Sequence, residues 1–273
     1  MTMSREIRQA EPIHVTRRSL GLAALGFVLW GVGYLILWLS PTGGRLEWIL
    51  CAAGPLLLAL AVLDHLDHHR RRFGLPALVL LNIAIVLQAV VFAPYAYDPG
   101  LSGKLITFTY ATWGAAWLIG SLGVFLVIGR KEARLEHDDK TPETQIHASF
   151  FQLTMLAVGM LIYGISWVGF SVDRGNHYMG VLSIIGPALI AVALIAHVEH
   201  LALRIGVPAA TLAIIGTSVW ALKNVPRAVS EVFTERAWSI PLVYGVGGII
   251  LLMGAVACLL VLVHKKAWVD ADA

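Results

Sequence analysis

Between short polar breaks this chain returns repeatedly to uninterrupted apolar runs of about 20 residues, which removes most folds from consideration. A run of that length crosses a hydrocarbon layer roughly 30 Å thick as a helix, and lipid offers the backbone no hydrogen-bond partner outside the helix itself. With 58% apolar and only 14% charged residues in 273, the chain carries far more apolar surface than a water-soluble core buries. Spans are predicted near residues 20–39, 48–66, 75–93, 105–129, 152–172, 178–198, 207–225 and 239–263. The expected fold class is therefore an all-α integral membrane protein with eight transmembrane helices, which puts both termini on one side.

Charge says which side. With the N-terminus inside, the outer loops hold only Arg45, Lys104, Arg174, Lys223, Arg227 and Arg236. The other lysines and arginines, Arg70, Arg71, Arg72, Arg130, Lys131 and Arg204 among them, fall on the inner side. By the positive-inside rule both termini are cytoplasmic and the localisation is a cell membrane, multi-pass. Trp38, Trp48, Tyr95, Tyr97, Tyr178 and Trp238 then form an aromatic belt at the outer boundary. No basic tract is long enough for nucleic acid, which is excluded as a partner. The basic segment before the first run is long and no small-residue cleavage pattern follows, so that run is expected to stay as a span.

The two halves of the chain repeat one polar pattern. Gly54-Pro55, His65, Asp67, His68, Arg72 and Gly74-Leu75-Pro76 recur in the same register as Gly186-Pro187, His197, Glu199, His200, Arg204 and Gly206-Val207-Pro208. Gly26, Trp30, Gly31 and Tyr34 match Gly159, Tyr163, Gly164 and Trp167, while Tyr110, Gly114, Gly120 and Lys131 match Tyr244, Gly248, Gly254 and Lys265. The expected organisation is two four-helix bundles repeated in parallel, related by an axis along the membrane normal. The segments are 1–19 (cytoplasmic), 20–129 (first repeat), 130–151 (cytoplasmic linker), 152–264 (second repeat) and 265–273 (cytoplasmic tail). The matched glycines are read as close helix packing, Gly-Pro as a helix-shaping kink, and Gly-x-Pro as the turn that opens the next helix.

The histidines carry the chemical question. His65 and His68 stand three apart, one shared face of a continuous helix, with Arg72 one turn on; His197, His200 and Arg204 repeat this. Four imidazoles suit a transition metal, and His65 with His197 suits the two axial positions of a b-type haem. On a continuous helix Asp67 and Glu199 turn off the histidine face, and Asp64 has Ala196 as its counterpart, so these acids are placed in supporting positions beside the ligands. Arg72 and Arg204 are expected to anchor the interface or contact a quinone or headgroup.

His65, Leu66, Asp67, His68 and His69 together have the form His-x-x-His-His, which resembles one histidine box of membrane fatty-acid desaturases and hydroxylases. The other boxes of those enzymes are not found, and Leu201 stands where a second copy needs histidine, so no family follows. Eight spans and a duplication are also similar to haem A synthase, without a shared residue motif. Cys51 and Cys258 read as buried apolar residues, and neither a nucleotide loop nor a nucleophile elbow is present. Three functions remain. The favoured one is a metal- or haem-binding redox subunit or enzyme acting on a quinone or lipid-like substrate within the bilayer. The others are a transporter or channel for a cation or proton, and a non-catalytic scaffold held by other membrane subunits or a second copy of itself.

Overall fold

A computed structural model of the protein describes residues 15–40, 44–101, 105–136, 148–229 and 241–271. The N-terminal segment to residue 14, the linker stretch 137–147, Arg236, Trp238 and the start of the eighth expected span at 239 lie outside the described residues. Among those described, all regular structure is helical.

The first half runs through α1 (Arg17–Leu39), α2 (Arg45–Leu63), α3 (Leu66–Phe73), α4 (Leu75–Val90), α5 (Ala93–Tyr97) and α6 (Ile106–Glu136). The second comprises α7 (Phe150–Val172), α8 (His177–Ile195), α9 (Val198–Ile205), α10 (Val207–Leu222), α11 (Val225–Val229) and α12 (Gly247–Ala271), the last preceded by a π-helical turn, Pro241–Val246. Helices α8 to α11 begin and end 132 residues after α2 to α5.

Seven helices are long and apolar enough to cross a membrane, α4 being counted with α5 as Leu75–Tyr97. The seventh expected span is a shorter apolar helix, Val207–Leu222. At 1.5 Å per residue, its 16 residues reach about 24 Å, less than the hydrocarbon thickness. The chain is a polytopic helical membrane protein by these lengths and compositions. Its outward faces agree: Leu25, Leu56, Leu60, Ile83, Leu122 and Val192 are all exposed on the molecule's surface.

The long helices close a cycle. Each packs principally against its neighbours in sequence, α1 on α2, α2 on α4, α4 on α6 and so on to α10 on α12, and α12 returns to α1. Contacts also cross between the halves, α6 on α7 and α12 on α1.

Glycine makes the close pairs. A Cβ built on Gly54 would lie 2.6 Å from the Gly26 carbonyl oxygen, and one on Gly186 would lie 2.7 Å from that of Gly159. The two seams between halves use the same device. Gly31 faces Gly248 and Gly114 faces Gly164, each within 3.0 Å of the other's carbonyl oxygen by the same construction. Only the absence of a side chain lets these backbones approach, which is how membrane helices gain contact without a hydrophobic drive between them.

At one end of the ring the interior is filled by aromatic side chains. Trp48 lies 4.8 Å from Tyr95 and 6.3 Å from Phe92, which continues through Trp113 (5.9 Å) to Trp167 (5.1 Å). Trp117 and Trp220 sit 4.9 Å apart, and Trp220 donates its indole N–H to the Tyr163 hydroxyl at 3.1 Å. Cys51 is buried in this packing, whereas Cys258 is only half-buried. The other end carries the histidines.

Candidate functional site

The histidine end is built by two interruptions of the helices that enter it. Helix α2 stops at Leu63, His65 adopts φ −120° and ψ 30°, and α3 starts anew at Leu66; α8, His197 (φ −112°, ψ 9°) and α9 repeat the pattern. Gly74 (φ 87°, ψ 149°) and Gly206 (φ 86°, ψ 146°) then turn the chain into α4 and α10, in a backbone region essentially reserved for glycine. Pro76 and Pro208 occupy the first turns that follow, as expected.

The edges of this end are tied across helices. Asp64, just beyond α2, accepts from the Thr16 hydroxyl at 2.9 Å and the Ser19 hydroxyl at 2.8 Å, and pairs with Arg18 Nε at 3.2 Å. The two hydroxyl bonds, then Arg18, hold its carboxyl below the usual range. At the corresponding corner of the second half, Gln152 Nε2 donates to the Ala196 carbonyl at 2.8 Å. Lys131 donates to the Ala148 carbonyl and Lys265 to the Val15 carbonyl, so each half's last helix grips the start of the other half.

Within this frame the histidines cluster as pairs. The His65 and His68 rings lie 4.7 Å apart and those of His197 and His200 4.6 Å apart, with His69 5.3 Å from His65. His65, His68, Asp64 and Asp67 line one open pocket of about 550 Å³ together with Arg71. Asp67 therefore shares the pocket of the histidines, contrary to the continuous-helix reading. The break at His65 resets the angular register, so the wheel of 100° per residue does not run through that position. Asp67 also pairs with Arg70 at 3.6 Å, and Glu199 is exposed. Among the described residues no group of three or more His, Cys, Asp or Glu is arranged to hold a metal ion.

A second pocket, as open as the first, lies against α3. It measures about 420 Å³, and its walls, almost wholly apolar, include Trp30, Leu58, Trp117 and Met160. His69 and Phe73, stacked with ring centroids 5.8 Å apart, border it from α3. His69 was legible in the sequence only as part of the His-x-x-His-His string. Its spacing of four from Phe73, within α3, puts the two rings on one face.

Electrostatics link the two halves here. Burial first, then the positive fields of His65, His68 and Arg72, hold His69 down to about 4. Burial, then Arg204, His197 and Arg72, hold His200 down to about 4 as well. His197 is lowered by burial, then by Arg204 and Lys131. Arg72 from the first half thus acts on His200 of the second, and burial together with these positive charges favours the neutral imidazole, the form that ligates metals or exchanges hydrogen bonds.

Fold and site define a class: a multi-pass membrane protein, all-helical among the described residues, with an open apolar pocket bordered by histidine. Compared with known protein families, characterised proteins and solved structures, the chain matches none.

Proposed function

We propose that this protein takes a quinone- or lipid-like molecule from the bilayer into the cavity beneath α3 and presents its polar end to the histidine cluster. The apolar cavity bordered by His69 is the observation that carries this reading. Such a cavity suits an amphiphile, since apolar walls with few polar groups bind a tail and orient a head. Transport of a cation has less in its favour. In the described spans Asp, Glu, Lys and Arg stand near helix ends, as Arg17, Glu47 and Lys131 do, whereas ion pathways carry such groups at mid-membrane depth.

In this proposal the protein is a redox subunit or enzyme, with His65, His68, His197 and His200 as ligands to a transition metal or, through His65 and His197, to a b-type haem. The paired imidazole rings support it; Asp64, Asp67 and Glu199 would orient the ligands. The fold reading that accompanies it is an internal duplication of four helices with eight crossings and both termini cytoplasmic, supported by the 132-residue offset of the helices and by the matched glycine seams.

The test is saturable quenching of tryptophan fluorescence by a short-tailed quinone, alongside an absorption spectrum and metal analysis of the purified protein. Quenching should vanish in Ala84→Leu, which fills the cavity wall, while that variant's melting transition persists. A quinone that never quenches, or quenches Ala84→Leu equally, overturns the cavity reading. A colourless, metal-free protein that stays so after reconstitution overturns the redox role.

A further inference from the structure

The pocket against α3 is apolar over nearly all of its wall, so each polar side chain on that wall is informative. From α4 it takes Leu78, Leu81, Ile85 and Gln88, one face of the helix over about 15 Å. Gln88 accepts the Trp113 indole N–H, the Trp30 indole is tied to Tyr34, and Trp117 packs on Trp220 with ring centroids 4.9 Å apart. His69 is different. Its ring is fixed by the stack on Phe73 at 5.8 Å, yet its Nδ1 is shielded from solvent and has no hydrogen-bond partner among the described residues. The positions 132 residues on hold Leu201 for His69 and Trp220 for Gln88, so these two polar groups are not repeated in the second half.

A shielded nitrogen without a partner is costly, and a ligand that supplies one recovers the cost. Burial and the positive charges of His65, His68 and Arg72 favour the neutral ring, which has one donor and one acceptor nitrogen. A hydroxyl serves whichever of these Nδ1 presents, because it both donates and accepts, whereas a carbonyl or an ether serves only a donor. The same positive charges repel an ammonium head. A carboxylate carried among apolar walls loses hydration that a neutral imidazole does not replace.

We infer that the occupant of this pocket is an amphiphile with a neutral hydroxyl head, held by His69 Nδ1 while its apolar body lies along α4 toward Gln88. Alcohols, phenols and quinols share that head. The inference rests on the pocket reading proposed above and narrows it to one head group. His69 acts here as a binding residue, and no covalent bond is made or broken.

Scintillation-proximity binding to the full chain in detergent tests it, using a tritiated long-chain alcohol against the methyl ether, amine and carboxylic acid of equal chain length. The alcohol should bind about threefold to tenfold more tightly than the ether, the return of one hydrogen bond. His69→Phe keeps an aromatic ring beside Phe73 and should bring alcohol binding down to that of the ether. His69→Gln, which keeps a donor and an acceptor, should retain part of the preference. Ala84→Leu, on the pocket wall, should remove binding of both. Melting curves identify any variant that fails to fold, and the wild-type ratio of alcohol to ether then decides. Equal binding of alcohol and ether, or a preference that survives in His69→Phe, overturns the hydroxyl contact and leaves the pocket reading standing. Tighter binding of the acid or the amine overturns the neutral head. Binding of none of the four, or binding unchanged in Ala84→Leu, overturns the pocket reading as well.

Discussion

Alanine at position 54 puts a methyl carbon 2.6 Å from the Gly26 carbonyl oxygen and 2.5 Å from Trp30 Cβ. Both atoms belong to α1's backbone or to the first carbon of a side chain, so no rotamer change relieves the overlap. Ordinary contact begins at 3.4 Å, and α1 and α2 must therefore part by about 0.9 Å. A gap of that size forfeits roughly a quarter to a half of the dispersion attraction along the seam, and overpacking of this kind costs about 1–3 kcal/mol. The better helix propensity of alanine returns up to about 1 kcal/mol. A net loss of about 1–2 kcal/mol lowers the midpoint of a chain this size by roughly 2–8 °C. Thermal unfolding in detergent, followed by tryptophan fluorescence, measures it. Gly186→Ala should behave alike, its methyl lying 2.7 Å from both Gly159 O and Tyr163 Cβ, whereas Gly129→Ala meets nothing within 4 Å and should be neutral or slightly stabilising. If Gly54→Ala melts with Gly129→Ala, close glycine packing is not what holds α1 to α2.

Alanine at Gly74 or Gly206 must adopt φ near +87° or +86°, with Arg130 Cδ or His264 Cγ only 3.1 or 3.2 Å from the new methyl; each should lose about 1–3 kcal/mol in the same melt, and an unchanged midpoint would refute the strain. His69 and His200 sit at about 4 in the fold against 6.5 unfolded, so the unfolded chain takes up protons first on acidification. Their stabilising contribution is complete above pH 6.5 and is lost as the pH falls toward 4, and His69→Phe with His200→Leu should flatten the melting midpoint across that window. Lys131→Met and Lys265→Met each release a carbonyl tether between the halves and should cost about 1 kcal/mol. Protease nicking near residues 15 and 148 reads the loosening directly, and resistance equal to wild type would count against the tethers.

Helix placement was legible because lipid imposes a length and an apolarity that the sequence displays openly, although seven described helices, against eight expected spans, are long and apolar enough to cross. Gly74 and Gly206 were legible as turns for a related reason: glycine followed by proline two residues later has few other uses. Helix α2 ends at Leu63 rather than 66, and α8 at Ile195 rather than 198, because apolar runs carry no stop signal of their own. That shift placed Asp67 on the wrong side of the histidines. The grouping of the helices was equally hidden, since a repeat shows which segments are alike without showing which ones touch.

The sequence by itself determined that this chain is helical and membrane-embedded, and it marked the histidines, arginines and glycines that recur in both halves. Only the tertiary structure decided that α6 meets α7 and α12 meets α1, that Arg72 of one half stands within electrostatic reach of His200 of the other, and that His69 borders a cavity with Trp30 and Met160 in its walls. The physical reason is one of range. Hydrophobic length and backbone preference act within a segment and are written in its residues, whereas contact between segments depends on which surfaces approach closely enough to interlock, and in lipid that is settled by packing between helices far apart in the chain.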